Sequence, residues 1–422
     1  MMCKKKSLIL VSIEMSSSLT PKFNLTYMDQ VTYLDGYHRS GWAYVMGLLM
    51  SLHDDRAKIL LDTYVDRTFH WNKPSFLPYK KSWVGIVHHT FDTSFSSYNN
   101  VVLLENPLFV QSLDMCKGLY VFSESIASQW RTVLTNKGFG NIPIQSLVHP
   151  TEFVSNNWTV DKLKGNANRH LVQIGAWLRD NYTIYKLNNG KPVIDIGDEL
   201  ILHKAALKGQ NMDYYFKPNN FFRLLRPPAW KNQNAGGCGG GANVDTFQLT
   251  NVGQSIISAN AEIPNLQPSQ PDQPICRDLI CRDSSVFLNK YVEGAVGLLQ
   301  QYDNSVVIIP QMDNVSYDDL LSKNIVFLKL WDAAAVNTIV ECIVRNTPIV
   351  VNPLPAVVEL LGQDYPLYFE SIDNTDSVVT LSNIVSAYNY LYSMDKSKFE
   401  GHFFLQSIVN GPIYIPLHAA NS

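Results

Sequence analysis

The stretch FLKLWDAAAVNTIVECIVRNTPIVVNPLPAVVELLG, from Phe327 to Gly362, reads as strand, helix, strand and helix in succession. An apolar run ends at Asp332, and a helix over Val336–Arg345 carries Glu341. A second apolar run, Thr347–Asn352, ends in Asn352-Pro353-Leu354-Pro355, which opens a further helix bearing Glu359. Short buried strands alternating with crossover helices are what a parallel sheet requires. The alanines Ala333–Ala335 let a bulky ligand approach the backbone at the helix start, and a carboxylate at Glu341 suits two ribose hydroxyls.

The same rhythm extends in both directions. Upstream in the second half, strands are expected at His170–Gly175, Asp198–His203, Ser305–Pro310 and Ile325–Leu330, with a helix near Asn289–Gln301. In the first half, strands are expected at Ser7–Ile13, Lys58–Asp62, Trp83–His88, Gly118–Ser123 and Pro143–Val148, with helices at Gly41–Leu52 and Glu124–Leu134. Phe153–Asn168, polar and rich in Asn and Lys, reads as a hinge. Arg226–Asp283 breaks the rhythm with AGGCGGGAN and SQPDQP. It lacks the GxxxxGK[ST] form of a phosphate loop, so it reads as a flexible insertion. Ser386–Leu417 is expected to form a helix and a strap packed back on the body.

With 422 residues, 46% of them hydrophobic, the chain can fill the cores of two or three domains. A formal charge of −3 supplies no general attraction for nucleic acid. No run approaches the length of a membrane span. The apolar segment after Lys4–Lys6 stops at Glu14 without a cleavage site, so it reads as a first strand in a cytoplasmic protein. The six cysteines form neither a CxxC pair nor a zinc pattern.

In open parallel sheets, ligands bind beyond the carboxyl ends of the strands. Three further turns there carry candidate chemistry. The loop Asp35–Trp42 offers Gly36 and Gly41 for close backbone approach, His38 as a base near working pH, and Arg39 beside it; it reads equally as a helix-capping loop. The strand Val84–Val87 ends in His88-His89, one of which is expected to face substrate. With no third ligand in the neighbouring sequence, acid–base or hydrogen-bonding work is preferred there to metal binding. After Gly175 come Arg179, whose fork suits phosphate oxygens, and Lys186, a mobile charge.

The Phe327–Gly362 block resembles the nucleotide-sugar site of the retaining group-1 glycosyltransferases of GT-B fold. Arg345-Asn346-Thr347-Pro348 stands where that family has a Gly-x-Pro turn, and Leu354–Glu359 where it has Gly-Gly-x-x-Glu. The block is also similar to uncharacterised glycosyltransferases of large DNA viruses, in which case the compartment is the host cytoplasm. The resemblance implies an α/β protein of two Rossmann-like, doubly wound domains facing across a cleft. Residues 1–155 would form the acceptor-side domain and 169–385 the donor domain, with 386–422 packing back. It implies Glu341 at the donor ribose, Asn337, Thr338, Ala356 and Glu359 on the donor side, and the Pro355 helix start at the diphosphate. Asp332 would contact the donor sugar, although its separation from Glu341 is one residue wider than the family's. Arg179 and Lys186 would stabilise the diphosphate; Gly36, His38, Arg39, Gly41 and His88 would lie on the acceptor side, with His89 catalytic.

The implied reaction moves a sugar from a nucleotide-diphosphate sugar to a hydroxyl of a glycan, protein or lipid, with retention. No cofactor and no metal ion are expected, because no DxD-like clamp is evident and protein cations would take its place. A nucleotide-sugar epimerase and a catalytically silent binding module on the same scaffold are the alternatives. A dehydrogenase is disfavoured, since no GxGxxG follows the first strand of either half.

Overall fold

The computed structural model describes residues 22–33, 39–96, 98–175, 177–180, 183–191, 193–197, 199–207, 305–310 and 312–419. The expected strand Ser7–Ile13, the helix Asn289–Gln301, the insertion Arg226–Asp283, and Gly36 and His38 lie outside them.

Two sheets organise the chain. The first has five strands in sequence order: β1 (Asn24–Leu25), β2 (Leu60–Asp62), β3 (Trp83–Ile86), β4 (Cys116–Val121) and β5 (Ile144–Ser146). All its pairings are parallel. The second contains β6 (His170–Gln173), β7 (Val193–Asp195), β8 (Ile201–Leu207), β9 (Val306–Ile309), β10 (Ile325–Leu328) and β11 (Ile349–Val351), along the path β11-β10-β6-β8-β7. β9 pairs in parallel with the second half of β8, while β7 pairs antiparallel with its first half. The antiparallel β7 and the short β1 were not legible as strands.

Period-two alternation explains how the first sheet is covered on both faces. Trp83 and Val87 enter a core with Phe109, Leu119, Val121 and Trp130, while Val84 and Ile86 enter one with Val45, Met46 and Tyr120. The second core receives Phe404 and Ile408 from the C-terminal helix Gly401–Val409, Ile413 from the turn after it, and Tyr414 from the helix Tyr414–Ala419. The end of the chain therefore returns to the first domain. The helix before them, Leu381–Ser393, gives Ile384, Ala387 and Leu391 to the core of the second domain.

Phe153–Asn168 does more than join the domains. Trp158 is completely buried in the second core, and Leu163 joins it from the short helix Val160–Gly165. Removing an aromatic of this burial costs about 3–5 kcal/mol, so the segment anchors the second domain.

Candidate active site

The carboxyl ends of the two sheets face each other. Thr90, just beyond β3, donates to Asp332, just beyond β10. Trp177, after β6, lies with its ring 5.0 Å from that of His89 and 5.1 Å from that of Phe95. The Asn337 side-chain amide donates to the Ser40 carbonyl at 2.7 Å. Loops from one domain thus meet strand ends and a helix start of the other.

Arg179 is set by its backbone. The loop after β6 pairs with the extension of β10: Arg179 bridges Leu330, the Asp180 amide donates to the Lys329 carbonyl, and the Trp331 amide donates to Leu178. Gly175 has φ +84°, and a Cβ there would lie 2.5 Å from Arg179 Nε, so glycine is required for the side chain to fold back. The guanidinium donates to the Trp177 carbonyl at 2.6 Å and to Thr338 Oγ1 at 3.3 Å, while Nε has no protein partner. Thr338 opens the helix Asn337–Arg345, whose N-cap Val336 supplies no side-chain cap. A cation and free helix amides therefore share one spot, where an anion is favoured. Burial pushes the Arg179 pKa down to about 10, and Tyr317 and Glu341 oppose that shift.

Glu341 has its two oxygens in use. Oε1 accepts from the Ser40 amide at 3.2 Å and from the Ser40 hydroxyl; Oε2 accepts from Tyr317 at 2.6 Å. Beside it, Asp318 accepts from Arg39 at 2.8 Å and from Arg345 at 2.7 Å, and Arg39 also pairs with Glu152 at 2.8 Å. Glu359 accepts from the amides of Glu124 and Ser125 at 2.6 and 2.7 Å. Those amides open the helix Glu124–Asn136, which Ser123 caps at Ile126. Where the resemblance placed Glu341 at a ribose and Glu359 on the donor side, the geometry gives both to contacts between the domains. Asn346, in the place of the family's glycine, takes the left-handed conformation at φ 59° that ends the helix.

The two adjacent histidines part company, as alternation requires. His88 is sandwiched between Trp42 and Tyr64, with ring centroids at 4.2 and 4.1 Å, and its Nε2 lies 3.1 Å from the Thr63 carbonyl. It is half-buried, with both faces of its surroundings aromatic. His89 turns to Asp66 and His70, and the ligand atoms of these three lie within 4.8 Å of one another. The neighbouring sequence could not show this grouping, because Asp66 and His70 come from an earlier turn. Burial pushes the pKa of His88 and of His70 down to about 4, and that of His89 to about 3.

The remaining predicted residues are dispersed. Lys186 is exposed at the end of the short helix Thr183–Lys186, with its side chain outside the buried surroundings of Arg179. Gly41 has φ −67° and ψ 159°, backbone open to any residue, so its flexibility is not what the loop needs. Pro355 and Ala356 begin the helix Pro355–Leu361, where Ala356 is buried. Asp332 accepts from the Ala333 amide at 2.8 Å, and burial raises its pKa. Ser40, Tyr317 and Asp318 were missed: each is an ordinary polar residue until the fold brings it to the interface.

No protein-family model and no curated protein matches the chain. Among solved structures, sucrose-phosphate synthase from Thermosynechococcus elongatus is similar at 8% identity and TM-score 0.47, over 90% of this chain and 78% of that one. A UDP-forming α,α-trehalose-phosphate synthase from Burkholderia vietnamiensis follows at 8% identity and TM-score 0.38, over 78% and 69%. A UDP-forming trehalose-phosphate synthase from Burkholderia xenovorans gives 7% identity and TM-score 0.39, over 78% and 68%. Among the described residues, no helix is long and apolar enough to cross a membrane.

Proposed function

We propose that this chain is a glycosyltransferase that moves a sugar from a nucleotide-diphosphate sugar to a hydroxyl acceptor, with retention and without a metal ion at the diphosphate. The observation that carries the reading is Arg179: a largely buried guanidinium with a free Nε–H, held against the uncapped start of the helix Asn337–Arg345. The departing diphosphate gathers negative charge as the sugar–oxygen bond breaks, and preorganised donors stabilise that charge more than the ground state. Asp332, which accepts from Thr90 across the interface, takes the donor sugar in this reading. Packing of the two domains over the donor excludes water and limits hydrolysis.

Retention agrees with the histidines. His88 is half-buried and His89 buried, both with depressed basicity, which leaves acceptor attack on the leaving-group face to be assisted by the departing phosphate oxygen. A thermal-shift panel of nucleoside diphosphates tests the reading. At least one should raise the melting temperature of the parent protein and leave Arg179→Ala unmoved. Equal response of both proteins, or no response to any nucleotide, would set the reading aside.

A further inference from the structure

We propose that Asp66, His70 and His89 form a binding site for one divalent transition-metal ion, zinc by preference, with a fourth coordination position left open. Asp66 is the residue before the π-helical turn Arg67–Asn72, and His70 stands four residues on, which brings both side chains to one side of the turn. His89 arrives from the end of β3, so two separate elements hold the three groups. π-Helical turns are rare and concentrate at functional sites.

The nitrogens carry the argument. His70 hydrogen-bonds the Asn99 carbonyl and His89 the Tyr98 carbonyl. The atoms left over, His70 Nε2 and His89 Nδ1, are buried and have no hydrogen-bond partner. An imidazole whose one N–H is fixed on a carbonyl turns a lone pair outward from the other nitrogen, which is the usual state of a histidine on a metal. His89 Nδ1 lies 3.3 Å from Asp66 Oδ1. A lone pair facing a carboxylate oxygen at that separation needs a positive centre between them. With bonds of about 2.0–2.1 Å, the edge of a tetrahedral zinc site is about 3.3–3.4 Å. The observed separation fits that edge.

The charges fit as well. The Asp66 carboxylate is completely buried and has no Lys or Arg partner among the described residues; its oxygens accept from the amides of His88 and His89, at 2.7 and 3.3 Å, and from its own amide. A divalent ion would compensate that buried charge. Two imidazoles and one carboxylate suit zinc and its neighbours rather than calcium or magnesium, which prefer oxygen. Trp71 and Trp177 flank His89, with ring centroids at 6.0 and 5.0 Å, and Tyr98 lies against His70 at 5.2 Å. His70 is only partly buried, which gives an ion a way in.

The test is zinc binding by the full chain, stripped with a chelator and titrated against a chromophoric competitor. The parent should take up one equivalent. His70→Ala and His89→Ala should each weaken the site by on the order of 100-fold or more, beyond the 10–100-fold that loss of an outer-shell partner costs. His402→Ala, an exposed imidazole elsewhere, should bind as the parent does. Should either cluster variant fail to fold, X-ray absorption at the zinc edge of the loaded parent decides, with a shell of nitrogen and oxygen including imidazoles expected. Sulfur neighbours, absence of one-to-one uptake, or parent-like affinity in His70→Ala would overturn the site. A shared proton between Asp66 and His89 would then be the bridging charge.

Discussion

Ser40 and Glu341 meet across the two domains, the serine amide 3.2 Å from Oε1 and its hydroxyl donating to the same oxygen. Both residues are buried, and Tyr317 takes the other oxygen. The carboxylate thus joins a loop of the first domain to a helix of the second through charge-assisted hydrogen bonds, the stronger kind. Removing it strands a buried amide and two buried hydroxyls. Glu341→Ala should lose about 2–4 kcal/mol of stability, since one hydrogen bond to a charged group contributes about 1.5–3 kcal/mol. Urea unfolding measures this. Unchanged stability together with lost nucleotide affinity would return Glu341 to the ribose role.

Glu359 works at the second contact between the domains, on the amides of Glu124 and Ser125. A carboxylate at a helix N-terminus is favoured by the free N–H groups and by the helix dipole. The contact is exposed, so Glu359→Ala should cost only about 1 kcal/mol. Its sharper signature is local: amide exchange at Glu124 and Ser125 should quicken, while Ile126, bonded to Ser123, stays protected. Unaltered exchange at all three would show that the carboxylate leaves these amides in solution.

How much of this was legible depended on range. The strands beside Asp332, His88 and Gly175 were readable, because apolar runs that stop at polar or glycine residues report burial locally. The left-handed Asn346 could be matched to a turn for the same reason. What the acidic residues do could not be read. Glu341 looked like a ribose ligand because a carboxylate on a small-residue helix suits two hydroxyls, and Glu359 was put on the donor side by the resemblance; their partners Ser40, Tyr317 and the amides of Glu124 and Ser125 are distant in sequence. The same limit hid Asp66 and His70: His88-His89 is a visible pair, but the groups facing His89 precede it by a whole strand and turn.

Gly175 and Arg179 make a linked prediction about the anion site. Arg179→Ala removes the guanidinium and should lower turnover at saturating donor by on the order of 10²–10³, as loss of one preorganised donor does elsewhere. Arg179→Lys should recover only part, because an ammonium cannot fork across two oxygens. Gly175→Ala leaves the charge intact, but its Cβ would meet Arg179 Nε at 2.5 Å and needs a backbone at φ +84°. It should therefore resemble Arg179→Ala in nucleotide affinity. Full activity in Arg179→Ala would place the diphosphate cation elsewhere.

His149 gives the last prediction, a dependence of stability on pH. Its ring packs near Trp42 and Phe122, with centroids at 6.2 and 5.2 Å, and Nδ1 lies 2.9 Å from the Pro150 carbonyl. Burial pushes its pKa down to about 4, although that carbonyl and Glu341 pull the other way. In the unfolded chain the imidazole titrates near 6.5. The folded value is depressed, so the contribution is present in full above about pH 6.5 and is lost as the pH falls toward 4. At about 1.36 kcal/mol per unit, His149 accounts for about 3 kcal/mol across that window. Asp62 runs the opposite way: burial raises its pKa to about 6, so its own contribution is present in full below the unfolded carboxylate range and is lost as the pH rises through 6. The difference between parent and His149→Gln cancels Asp62 and the other histidines. Gln keeps an N–H for Pro150 but does not titrate, so the parent should lose about 3 kcal/mol more than the variant between pH 7 and pH 4. Denaturant unfolding at both values measures the difference, and a gap that stays constant with pH would mean His149 takes up its proton without leaving the folded state.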